Sequence, residues 1–86
     1  ILMFHFKIFY SDKDPQEVEI LFDKNLKKYR YVNLTKHHIC KWTFASELDA
    51  IRDLRKYPNI TEILLTASPK RNVEDFITTF EERLGK

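Results

Sequence analysis

Eighty-six residues, 43% apolar and 14% aromatic, make one domain spanning 1–86, with enough large rings to fill a core without disulfides. The single glycine, Gly85, rules out phosphate-cradling loops, dinucleotide fingerprints and nucleophile elbows, which all need glycine at a close backbone approach or a positive φ. Net charge is +2, but it is segregated: residues 1–23 carry two basic and five acidic groups, while residues 24–42 carry six basic groups and no acid. That basic block is where a polyanion would dock.

Residues 3–10 alternate, with Phe4, Phe6 and Ile8 on one side and His5, Lys7 and Phe9 on the other, which predicts a half-buried first strand. Asp14-Pro15-Gln16-Glu17 offers a capping carboxylate, a proline for the first turn and a glutamate behind it. Val18, Leu21, Phe22, Leu26 and Tyr29 then follow at helical spacing. A first helix to about Tyr29 is predicted.

Two β-prone runs come next, 30–35 and 38–44, joined by a turn at 35–38. Alternation would turn Cys40, Trp42 and Phe44 inward and leave Ile39, Lys41 and Thr43 outside. Ser46 caps a second helix over 47–57, and Pro58-Asn59 ends it. Residues 60–67 form another strand, with Ile63, Leu65 and Ala67 as its more apolar side. Asn72 then caps a last helix carrying Val73, Phe76, Ile77, Phe80 and Leu84.

The order β-α-β-β-α-β-α predicts an α+β fold, a two-layer ferredoxin-like sandwich with an added C-terminal helix. Polar His5 and Lys7 on the second side of strand one favour helices on one face only. The alternative is a small three-stranded parallel α/β sandwich, reached if 38–44 is not a strand.

The open face of the ferredoxin-like sheet would show His5, Lys7 and Phe9 beside Ile39 and Lys41, flanked by Tyr31 and Asn33. Cations interleaved with rings hold single-stranded nucleic acid by phosphate contact and stacking. In layout this face resembles an RNA-recognition module, although His38-Ile39-Cys40-Lys41-Trp42-Thr43-Phe44 lacks that family's third-strand glycines. Lys70, Arg71 and Asn72, ahead of the last helix, form a candidate anion site.

His37, His38 and Cys40 are the densest group of possible metal ligands, but strand alternation leaves only His38 and Cys40 together where structural zinc takes four. No metal and no cofactor is expected, and no nucleophile stands in a motif with its base. The lone cysteine favours a reducing, cytoplasmic setting, and the first strand, with His5 and Lys7, is too short and too polar to span a bilayer or act as a signal peptide, so no membrane partner is expected.

The expected function is therefore a non-enzymatic binding module, engaging single-stranded nucleic acid or a protein partner through the open face and the basic segment 24–41. The protein version includes a homodimerising regulatory domain, with Phe9, Tyr31, Ile39 and Leu64 of two sheets meeting. The rival class is a small enzyme binding a phosphorylated ligand through Lys70 and Arg71, with Asp12 or Asp14 as its carboxylate.

Overall fold

A computed structural model describes residues 2–82. In chain order they form β1 (Leu2–Tyr10), β2 (Gln16–Asp23), β3 (Lys28–Asn33), β4 (His38–Phe44), α1 (Glu47–Leu54), β5 (Ile60–Pro69), α2 (Glu74–Ile77) and β6 (Glu81–Glu82). The domain is a small α+β fold dominated by one sheet of strand order β5-β1-β2-β3-β4-β6. All pairings are antiparallel except the short one between β4 and β6. The ferredoxin-like order is not matched, and the parallel alternative is excluded by the antiparallel ladders.

The main difference lies in residues 16–33, where the expected helix is instead the hairpin of β2 and β3. Val18, Leu21, Phe22 and Tyr29 fit a 3.6-residue period, yet Val18, Ile20 and Phe22 equally fit a period of two, with Leu21 on the opposite face. Val18 and Ile20 enter the cluster on one side of the sheet, while Leu21 enters the cluster on the other. A strand covered on both faces loses the clean polar alternation that distinguishes it from a helix. The turn is closed by Asp23, whose Oδ1 accepts from the backbone N–H of Asn25 at 2.9 Å and of Leu26 at 3.1 Å. Lys27 takes φ 54° there, and His37 takes φ 53° in the next turn. In this segment non-glycine residues occupy the left-handed positions that glycine usually marks.

Coverage is also two-sided. On the first face α1 buries Ala50 and Leu54 against Phe6, Ile8, Val18 and Ile20, with Tyr31 and Phe44 at the margin. Ser46 caps α1 as expected, its Oγ accepting from Asp49 N–H at 3.1 Å. On the second face Val73, Phe76 and Phe80 cover Met3, Leu21, Val32 and Ile39. The final helix is much shorter than expected, and Asn72 does not cap it; instead Asp75 Oδ2 accepts from Asn72 N–H at 2.8 Å. Leu84 lies outside the described residues.

Two exposure patterns depart from simple alternation. A bulge between β3 and β4, where the register shifts between Arg30 and Val32, re-aims β4. Ile39, opposite Val32 on the face that Val73 covers, is fully buried and Trp42 stands out into solvent, the reverse of the expected arrangement. The Cys40 carbonyl in the bulge is taken by Arg30, which donates Nε at 3.1 Å and Nη2 at 2.9 Å. At the sheet edge, Ile63 and Leu65 of β5 share a side with Phe6 and Ile8 but project past α1, and Phe4 is likewise exposed.

Candidate functional site

Strand directions decide which charges meet. In the antiparallel meander, the start of β1, the β2–β3 turn and the end of β5 lie at one end of the sheet. The lysines of that turn, Lys24, Lys27 and Lys28, are thereby gathered with Lys70, all four exposed. No ion pair engages any of them among the described residues. Separations of 42 to 46 positions in the sequence hide this juxtaposition, which only the strand order creates.

At the same end of the sheet lies a cleft. β1 and β2 pair from His5 opposite Glu19 to Ile8 opposite Gln16, and beyond His5 and Glu19 they part. The gap is a cavity of about 290 Å³ lined by Met3, Phe4, Leu21, Phe22, Tyr29 and Arg71, with Lys70 and Glu47 also on its wall. Phe22 and Tyr29 meet edge to face, ring centroids 5.3 Å apart. The rings of Phe4 and Phe22 remain exposed.

At the apex of the gap a polar cluster ties the strands together. Glu19 is fully buried and accepts from His5 Nδ1 at 2.7 Å, Ser68 Oγ at 3.2 Å, and Arg71 in a fork, Nε at 2.9 Å and Nη2 at 2.7 Å. The other nitrogen of His5 reaches Glu17 Oε1 at 2.6 Å. Carboxylates only accept, so both ring nitrogens must carry protons and the imidazolium is the form held here. Burial alone would lower the His5 pKa, but the hydrogen bonds and charges of Glu19 and Glu17 outweigh it and raise it above 6.5.

A pH dependence follows. A histidine whose folded pKa lies above its unfolded one stabilises the fold fully below about pH 6.5 and loses that contribution as pH rises through the folded value. Denaturant unfolding should therefore show a fall in stability from about pH 6 into the alkaline range. His5→Gln should remove that fall, and an unchanged slope in the variant would show that His5 is not its source.

The seven residues expected on one open face do not share a surface. Lys7 is exposed beside the half-buried Phe9, its Nζ 5.5 Å from the ring centroid, on the part of the second face that α2 leaves uncovered. His5 is committed to its two glutamates. Tyr31 lies against α1 and donates to the Ala50 carbonyl, with its phenol pKa pushed up by burial. Asn33 donates to Gln16 Oε1 at 3.2 Å, Ile39 is buried, and Lys41 sits over the Trp42 ring at 5.1 Å. A face-to-face dimer built on Tyr31 and Ile39 has no exposed Ile39 to use.

Of the expected anion site, Lys70 is free, whereas Arg71 is bound by Glu19 and the Asn72 N–H by Asp75. Asp12 and Asp14 follow β1 at the opposite end of the sheet from Lys70, and Asp12 Oδ1 accepts from Asn59 Nδ2 at 3.1 Å. The halves of an enzyme built on these groups are thus far apart. Among the described residues no three His, Cys, Asp or Glu side chains group to hold a metal, and no helix is long and apolar enough to cross a membrane. No protein-family model, curated protein or solved structure matches this chain.

Proposed function

We propose that the chain is a non-catalytic module that holds single-stranded nucleic acid at the hairpin end of its sheet. Lys24, Lys27, Lys28 and Lys70 engage phosphates, while Phe4 and Phe22 offer faces for bases to stack on. The observation that supports this reading is that four exposed lysines free of ion pairs among the described residues share one end of the sheet with a cleft that Lys70 lines and exposed Phe4 and Phe22 edge. Such a surface combines the two recognition terms that single strands need, electrostatic attraction to the backbone and sequence-tolerant stacking.

The sheet face carrying Lys7 and Phe9 is the weaker site, because Glu17 and Glu62 stand on the same side. Fluorescence anisotropy with single-stranded RNA and DNA oligonucleotides at several salt concentrations tests the proposal. Affinity should fall linearly on a log–log scale, and replacing the four lysines by alanine should flatten the slope by about 2.8, roughly 0.7 per phosphate contact. Phe22→Ala should weaken binding by about 1–3 kcal/mol without changing the slope. Flattening by Lys7→Ala or Lys41→Ala instead would move the site to the sheet face, and no binding at low salt would end the nucleic-acid reading.

A further inference from the structure

The geometry points to a second function for the sheet, self-association through its β5 edge: a second copy of this chain pairs antiparallel with β5 about a two-fold axis at Leu64, joining the two sheets into one. This stands apart from the nucleic-acid site and does not depend on it.

β5 is a ten-residue edge strand, hydrogen-bonded to β1 along its length on one side. Among the described residues no strand lies on its other side. Proteins usually protect such an edge with charge, proline, a bulge or a short strand, because the unpaired N–H and C=O groups template further pairing. Here the stretch Ile63–Ser68 contains no charge, glycine or proline, and the one register irregularity lies at its far end, beside Phe9 and Tyr10. Its apolar side chains are exposed on both faces, Ile63 and Leu65 on the α1 side and Leu64 on the other. Solvating three consecutive large aliphatics on an open edge is unfavourable for a monomer.

A second copy fits because the edge is complementary to itself. A two-fold axis perpendicular to the sheet keeps each face on its own side and pairs residues symmetrically about a central one. With Leu64 opposite the partner's Leu64, Ile63 lies against the partner's Leu65 and Glu62 against the partner's Thr66. Each of the three exposed large aliphatics, Ile63, Leu64 and Leu65, then meets an aliphatic, and the strand's single charge meets a hydroxyl rather than its own copy. Centring on Ile63 instead would set Glu62 against the partner's Leu64, and a one-residue slip would exchange the two faces. The pairing also places four aliphatics, two from each copy, in one patch on the α1 side.

Sedimentation equilibrium of the full chain should show a reversible monomer–dimer equilibrium. Leu64→Lys sets two like charges across the axis and should raise the dimer dissociation constant at least tenfold, with the circular dichroism spectrum unchanged. In a Cys40→Ala background, Leu64→Cys should form a disulfide-linked dimer on mild oxidation, whereas Ile63→Cys should cross-link only when mixed with Leu65→Cys. A chain that stays monomeric up to millimolar concentration overturns the proposal and leaves the edge to a different polypeptide. Cross-linking by Ile63→Cys alone, or a dimer indifferent to Leu64→Lys, overturns it equally.

Discussion

Replacing Glu19 by alanine is expected to destabilise the fold by about 3–5 kcal/mol, the range for breaking a buried ion pair by removing one partner. The side chain is fully buried and gathers hydrogen bonds from β1, from the end of β5 and from the segment before α2. Its loss leaves the His5 imidazolium with only Glu17 and leaves Arg71 without a carboxylate. Arg71 is about one-third exposed and can turn to water, which favours the lower end of the range. Glu17→Ala is the control, because that half-exposed carboxylate belongs to the class of surface pairs contributing about 1 kcal/mol or less. Urea denaturation of both variants at neutral pH decides the matter. A Glu19→Ala loss no larger than that of Glu17→Ala would show that the cluster does not hold the strands.

This cluster was illegible in the sequence for a definite reason. His5 reads as the polar member of an alternating strand, and Glu19 as the outer face of a helix, so nothing brings them together until residues 16–23 become β2. Those residues satisfy helical and strand periods alike, and the Asp14-Pro15 start signal serves equally well as a loop entering a strand. β1, the Ser46 cap and β5 were legible because alternation or capping chemistry was plain at each, whereas β4 was legible as a strand but not in which of its residues are buried. The candidate site was legible only in pieces. The basic block and Lys70 are plain in the sequence, but their meeting depends on strand order, which local pattern does not encode. The bulge opposite Arg30 was equally hidden, since the register of a strand depends on its neighbour's path.

Phe6→Ala should cost about 3–5 kcal/mol, a large share of the 5–15 kcal/mol typical of a whole domain. Phe6 is almost completely buried between α1 and the sheet, packed with Ile8, Val18, Ile20, Ala50 and Leu54, and truncation leaves a cavity that the paired strands cannot close. For a domain of this size each 1 kcal/mol moves Tm by about 4–8 °C, so a fall of about 12 °C or more is expected by calorimetry. Phe4, two residues away on the same side of β1, provides the contrast. Phe4 is 46% exposed, its ring centroid 6.4 Å from that of Phe6. Phe4→Ala should therefore change stability by under about 1 kcal/mol while weakening oligonucleotide binding by about 1–3 kcal/mol. A Phe4 variant that loses stability as Phe6 does would place its ring in the core. One that keeps both stability and affinity would remove it from the stacking surface and leave binding to Phe22 and the lysines.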